Sequence, residues 1–172
     1  MRNLHATGVI LGDRGVLVTG PSGSGKSTLA LELLVRVRAA GGFARLVCDD
    51  QVFVEARAGR LLARAAPAIH GLVEVRGLGP CPVSAEPAMP VDLLVRLVPG
   101  GEAPRIDGGE TVSIEAIAVP RLDLAERSAH AVVHAVLARL GLPGAACGPA
   151  PRGEMTGARF DLGLSMAAGS TR

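Results

Sequence analysis

Apolar positions recur along this chain with two spacings, short continuous or alternating runs and two stretches of helical period. Val9–Leu11 and Gly15–Thr19 read as strands joined by the turn Gly12-Asp13-Arg14. The second runs straight into a glycine-rich loop. Ser27–Ala40 then carries Leu29, Leu33, Leu34 and Val37 on one helical face, and Gly41-Gly42 ends it. Ala44–Cys48 reads as a buried strand that stops at Asp49-Asp50. Val52–Ala56 and Arg60–Ala65, divided at Gly59, are predicted as a hairpin. Leu72–Arg76 and Val91–Leu97 are predicted strands separated by a Gly/Pro-rich segment, and Thr111–Val119 alternates as one further strand. Arg127–Leu140 is predicted as a helix with Val132, Val133, Val136, Leu137 and Leu140 inward. From Gly141 onward Gly, Ala, Pro and Ser dominate without a sustained period, so 141–172 is predicted as a flexible tail behind one domain spanning 1–140. A strand, loop, helix and strand followed mostly by strands predicts an α/β fold built on a mixed β-sheet with flanking helices.

Composition narrows the chemistry. The 172 residues are 48% hydrophobic and 20% charged, which argues for a packed core of Leu, Val and Ala. Aromatic residues make up 2%, leaving no stacking platform for nucleobases, and the net charge of +2 is too small to imply a polyanion partner. No nucleic-acid partner is expected. Apolar runs stay well short of ~20 residues and no secretory signal is visible, so a soluble, cytoplasmic protein without a membrane role is expected. Cys48, Cys81 and Cys147 match neither a paired disulfide framework nor a Cys-x-x-Cys metal site and read as free thiols.

The glycine-rich loop is Gly20-Pro21-Ser22-Gly23-Ser24-Gly25-Lys26-Ser27-Thr28, which fits G-x-x-x-x-G-K-[ST] after a strand and at the start of a helix. Glycines let successive N–H groups converge on phosphate oxygens, and the helix N-terminus adds partial positive charge. Lys26, the only lysine of the chain, should reach the β- and γ-phosphates of ATP, and the Ser27 hydroxyl should ligate Mg²⁺.

Asp49 and Asp50 lie at the carboxyl end of a predicted strand, where ligands of open α/β sheets sit. One carboxylate can organise Mg²⁺ while its neighbour accepts a proton from an attacking hydroxyl. Further on, Val73-Glu74-Val75-Arg76 alternates so that both charged groups share a strand face. Taken alone this is a half-buried strand with a solvated side. Facing a metal-bound nucleotide, the same pair would serve as metal ligand and charge clamp.

The order His5, Gly20–Ser27, Cys48-Asp49-Asp50 and Glu74-Val75-Arg76-Gly77-Leu78-Gly79 resembles the catalytic domain of HPr kinase/phosphorylase, the bacterial enzyme that phosphorylates a serine of the phosphocarrier HPr. The resemblance runs from about Leu4 to Leu124. It implies a fold similar to the HPr kinase and PEP carboxykinase-like nucleotide-binding fold. It also implies a Mg²⁺-ATP-dependent protein serine kinase of phosphotransferase-system regulation, able in reverse to phosphorolyse phosphoserine to pyrophosphate. By position, Lys26 becomes a catalytic phosphate ligand, Ser27 a Mg²⁺ ligand and Glu74 the second metal position. Of the aspartates, the second, Asp50, matches the general base, leaving Asp49 on the metal side. His5 matches a histidine near the phosphates, Arg76 lies in a segment tied to both reaction directions, and Arg105 matches a further catalytic arginine. An HPr-like carrier is the implied partner and a hexamer the implied assembly.

The sequence departs from that family in three places. Beginning just before the catalytic strands, it is expected to be without the additional N-terminal domain of full-length members, as short proteobacterial forms are, and it carries extra residues around Gly41-Gly42. Where the family has a Pro-Gly-Arg-Asn core tied to dephosphorylation, this chain reads Ala118-Val-Pro-Arg-Leu-Asp-Leu-Ala-Glu-Arg-Ser-Ala129. That change bears on phosphorolysis more than on kinase activity. Competing readings are a kinase of a small metabolite, against which the absence of an Arg-rich lid segment counts, and a nucleotide-binding regulator without transfer activity. His70, His130 and His134 receive no role. The last two share a helix face at i, i+4 but have no third metal ligand in view.

Overall fold

The computed structural model describes residues 1–145 of the chain. In chain order its elements are β1 (Arg2–Leu4), β2 (Ala6–Leu11), β3 (Arg14–Thr19), α1 (Lys26–Ala39), β4 (Ala44–Cys48), β5 (Val52–Arg57) and β6 (Arg60–Ala65). There follow β7 (Leu72–Val75), β8 (Gly79–Pro82), β9 (Ala88–Pro90), β10 (Leu93–Val98), β11 (Thr111–Ile114), β12 (Ile117–Ala125) and α2 (Ala129–Leu140).

Six strands form the central sheet in the order β11-β12-β10-β3-β2-β4. β10 runs parallel to both β3 and β12, while β2 is antiparallel to β3 and to β4. Strands β3, β4, β10 and β12 therefore point the same way, and their carboxyl ends reach one edge of the sheet. The amino end of the opposed β2 reaches that edge too. This direction sense decides where the site forms.

Both faces of the sheet are covered, which explains the continuous apolar runs. Alternation along β3 sends Val16 and Val18 to one side, where they meet Leu29, Leu33, Leu34 and Val37 of α1 and Val133, Val136 and Leu137 of α2. Leu17 points to the other side, against Val52, Val54, Leu61, Ala63 and Met89. Those residues belong to a second, four-stranded sheet ordered β1-β5-β6-β9. A separate two-stranded arm, β7-β8, is tied to the helical side through Val73. The architecture is thus the mixed-sheet α/β fold expected from the sequence, with both helices on one face.

Four expectations need correction. Thr111–Val119 is not one strand: Glu115 and Ala116 take left-handed backbone angles (φ 48° and 60°) and turn the chain, so β11 pairs antiparallel with β12. The Gly/Pro-rich segment is not a plain separator, because it contains β8 and β9. β2 begins at Ala6 rather than Val9, and its Thr7 is a buried polar residue with a partner in the site. α2 starts at Ala129, two residues later than expected, because Arg127 is also left-handed (φ 56°). β1 had no signal in the pattern. Of the segment after α2, Gly141 caps the helix in the left-handed region (φ 66°), and Leu142 and Ala145 pack against the core. The remainder of the expected tail, 146–172, including Cys147, lies outside the described residues.

Two close contacts generate tests. A Cβ on Gly15 would stand 1.8 Å from the Pro90 carbonyl oxygen, a backbone atom that moves only if β9 moves. Gly15→Ala is expected to destabilise the fold by about 3 kcal/mol or more, an overpacking cost, measured as a lowered urea midpoint; an unchanged midpoint would show the strands are not so close. Cys48 lies in the core, and burial pushes its thiol up to about 12, against an ordinary value of 9.0. The stability held by the neutral thiol is fully present below pH 9.0 and is lost as pH rises through about 12. At pH 8, alkylation followed by mass spectrometry should label half-buried Cys81 well before Cys48, and the reverse order would contradict the packing.

Candidate active site

The edge where the parallel strands end carries an open cavity of about 730 Å³. Its lining comes from the phosphate-type loop and the start of α1 (Ser22, Gly23, Gly25, Lys26, Ser27, Thr28), from Asp50 after β4, and from Glu74 and Arg76 on the arm. Arg127, Ala129 and His130 at the β12–α2 junction complete it.

The loop follows β3 and is wound so that Gly25, at φ 97°, caps α1, a conformation that side chains disfavour. Leu29 N–H bonds to the Gly25 carbonyl at 2.9 Å, so the helix continues directly from the loop and presents its positive end to the cavity. Lys26 is only 5% exposed. Its Nζ donates to the carbonyls of Gly20 (3.2 Å) and Pro21 (3.1 Å) and to His5 Nε2 (3.0 Å). The ammonium thus rests across its own loop.

Asp49 is equally buried, and its carboxylate accepts three hydrogen bonds. Oδ1 receives Thr7 Oγ1 at 2.7 Å and Ser27 Oγ at 2.8 Å, and Oδ2 receives the Glu74 backbone N–H at 3.1 Å. Asp50 behaves differently. Its side chain is 55% exposed and its backbone is left-handed at φ 65°, with Gln51 N–H bonded back to the Asp49 carbonyl at 2.8 Å. That tight turn costs on the order of 1–3 kcal/mol, strain of the kind held at functional sites. It sends two adjacent carboxylates in different directions, one into the protein and one into the cavity.

His5, just before β2, connects the two halves. Because Nε2 accepts from Lys26, the ring hydrogen sits on Nδ1, which donates to the Asp50 carbonyl at 3.0 Å and lies 3.7 Å from Asp50 Oδ1. Lys26, His5 and Asp50 form one connected chain.

The structure therefore brings together His5, Lys26, Ser27, Asp49, Asp50, Glu74 and Arg76 of the residues singled out in the sequence. Gly20 and Pro21 contribute carbonyls, and Ser24 is fully buried under the loop. Arg105 is not brought in: it sits exposed in the loop between β10 and β11 and is not part of the cavity lining. The site holds a different arginine. Arg127 follows β12, its N–H donates to the Ser24 carbonyl at 2.8 Å, and its side chain is 73% exposed at the cavity. Its position after a strand and before a helix, as at the phosphate loop, was the available sequence signal. His130 also lines the cavity, with Nδ1 3.4 Å from Glu32 of α1.

No group of three or more His, Cys, Asp and Glu side chains among the described residues gathers as a metal cluster. The available donors, the Ser27 hydroxyl with Asp49 behind it and the Glu74 carboxylate, are all hard oxygens. They suit Mg²⁺, which takes one or two carboxylates and completes its shell with water and substrate phosphate.

Residues 1–86, half of the chain, match the family described as HPr Serine kinase C-terminal domain. An HPr kinase/phosphorylase of Limosilactobacillus reuteri is 36% identical over 135 residues, covering 72% of this chain and 40% of that protein. One from Clostridium beijerinckii is 43% identical over 76 residues, covering 44% of this chain and 23% of that protein. The chain thus spans well under half the length of these relatives. The solved structure of the Hpr(Ser) kinase/phosphatase from Coxiella burnetii superposes with a TM-score of 0.64 at 26% identity, over 73% of this chain and 86% of that one. With its fold and its motifs in the same order, the chain belongs to the HPr serine kinase C-terminal domain family.

Proposed function

We infer that this chain is an ATP-dependent protein kinase that transfers the γ-phosphoryl group to a serine of an HPr-like phosphocarrier. The observation that carries the reading is the divergence of the aspartate pair. Asp49 is buried and held by three donors, one of them Ser27, whereas Asp50 reaches into the cavity beside Lys26 and His5. A kinase needs both: one carboxylate to organise the metal side and another to take a proton.

In this reading the loop N–H groups and Lys26 hold the phosphate chain of ATP. Ser27 would offer its oxygen to Mg²⁺ while its hydroxyl proton is donated in a hydrogen bond to Asp49, and Glu74 would provide the second ligand. The ion, when bound, neutralises charge on the phosphate oxygens. Asp50 accepts the proton of the serine hydroxyl as that oxygen attacks the γ-phosphorus in line. The bond between phosphorus and the bridging oxygen breaks, and ADP leaves with its electron pair. His5 holds the Asp50 backbone and reports the position of Lys26 to it through one ring. Arg76 and Arg127 supply positive charge where the transferred group passes. In reverse, with inorganic phosphate as nucleophile, protonated Asp50 would return its proton to the serine oxygen, and pyrophosphate would form.

Incubation with radiolabelled ATP and either HPr or a panel of small metabolites tests the reading. Label on the HPr serine is expected; label on a metabolite alone, or on nothing, would overturn it. Asp50→Asn should lower serine transfer by at least about 100-fold while nucleotide affinity changes little, and retained transfer would remove Asp50 from the base role. Arg127→Ala is expected to cut kcat by about 100-fold or more, in the manner of a charge clamp, with Arg105→Ala inside about twofold. The opposite ranking would return the role to Arg105.

A further inference from the structure

Strand β4 does not run straight into Asp49. Val9 of β2 opposes Leu46, but Gly8 opposes Cys48, so β4 carries one extra residue, Val47, in that step. Val47 and Cys48 consequently both face the core shared with the second sheet, whereas Leu46 faces the helices. Such a bulge turns the residues beyond it to the opposite face. A regular ladder would have set Cys48 against Thr7. The bulged one sets Asp49 there, on the side of α1 and the phosphate loop. Gly8 makes room for the shift, since a Cβ on it would stand 2.9 Å from both Cys48 Sγ and Met89 Cε.

Thr7 answers this placement. It is fully buried between Ala6 and Gly8 in an otherwise apolar strand, opposite Val18 of β3. Valine has the same shape and suits such a strand, so packing gives no reason for a hydroxyl, which must find a partner once buried. The partner is Asp49 Oδ1 at 2.7 Å, the same oxygen that receives Ser27 Oγ at 2.8 Å. Of the three donors to this carboxylate, Ser27 is a group being held, and the Glu74 N–H reaches the other oxygen from the arm. Thr7 is the donor that ties Oδ1 to the central sheet. A Ser27 hydroxyl whose proton is committed to a fixed acceptor keeps its lone pairs turned outward for a cation.

We propose that Thr7 is a positioning residue for the metal end of the site. In the register that the Val47 bulge creates, it holds Asp49 Oδ1 so that the Ser27 oxygen is aimed at Mg²⁺. The proposal rests on the kinase reading above and deepens it, because Thr7 acts through Asp49 and touches neither substrate nor metal.

The test compares the wild-type chain with Thr7→Val, which keeps the shape and loses the hydroxyl, and Thr7→Ser, which keeps the hydroxyl and loses the methyl. Affinity for a fluorescent ATP analogue is titrated with Mg²⁺ and repeated in EDTA, urea midpoints are measured, and labelling of HPr is followed with radiolabelled ATP. Thr7→Val is expected to raise the Mg²⁺ concentration for half-maximal nucleotide binding about tenfold, as the loss of a hydrogen bond behind a metal ligand does. Its affinity in EDTA should stay within about twofold of wild type, and Thr7→Ser should restore the Mg²⁺ requirement to within the same margin. If Thr7→Val does not fold, Thr7→Ala against Thr7→Ser gives the same comparison, since both lack the methyl and differ in the hydroxyl. A lowered urea midpoint with a wild-type Mg²⁺ requirement in Thr7→Val would make the bond structural only and overturn the proposal. Equal losses in Thr7→Ser and Thr7→Ala would assign the effect to the methyl and overturn it as well. Wild-type protein that leaves HPr unlabelled, with the expected Mg²⁺ shift present in Thr7→Val, would sink the kinase reading while upholding the positioning role.

Discussion

The buried carboxylate of Asp49 is the constraint on which the site depends. It follows β4, yet it fixes Thr7 in β2, Ser27 at the head of α1 and the Glu74 backbone in the arm. A carboxylate at 5% exposure would be costly without compensation, and three donors supply it. Removing it would leave the buried Thr7 hydroxyl unpaired and would release the Ser27 hydroxyl and the Glu74 N–H, so the loss would be felt in the sheet, the loop and the arm together. The same interaction that orients Ser27 therefore also sets how far the arm stands from the phosphate loop.

Sheet direction explains why these partners meet. Four strands share one sense, so a residue placed just after any of them reaches the same edge. Thr19 leads into the loop, Cys48 into the aspartates and Ala125 into Arg127. The antiparallel β2 brings His5 there by its opposite end. Five separated segments become one cavity without any long loop having to fold over it.

That geometry divides what could be read from the sequence from what could not. The loop and the aspartate pair were legible because each is a local pattern whose meaning depends on the strand immediately before it. Glu74 was weaker, since an alternating strand does not reveal what its polar face opposes. Arg127 is harder to read, because its place between a strand and a helix becomes informative only once β12 is known to run parallel to β10 and so to end at the same edge. Arg105 rests on the family resemblance although its flanking residues align weakly, and it is not part of the cavity lining. The hairpin β11–β12 looks like one strand in the pattern because its turn, Glu115-Ala116, adopts left-handed angles without Gly, Asn or Asp. β8 and β9 hid behind prolines, which a sheet accepts on edge strands and at strand ends.

The resting position of Lys26 adds a consequence for binding. An ammonium buried in the loop is satisfied by two neutral carbonyls and one imidazole nitrogen, with no carboxylate among them. Those contacts keep the loop carbonyls drawn together, so the loop is held in shape by the side chain of Lys26. On the kinase reading proposed above, a phosphate oxygen, which carries formal charge, would form the stronger, charge-assisted bond, so the exchange would be favourable. On that reading, release of Lys26 from His5 Nε2 would free that nitrogen when a phosphate chain is seated. The ring still bonds to Asp50 through Nδ1. On the kinase reading proposed above, occupancy of the phosphate site would reach the Asp50 backbone, whose carbonyl accepts from His5 Nδ1, by a change of partner on one imidazole.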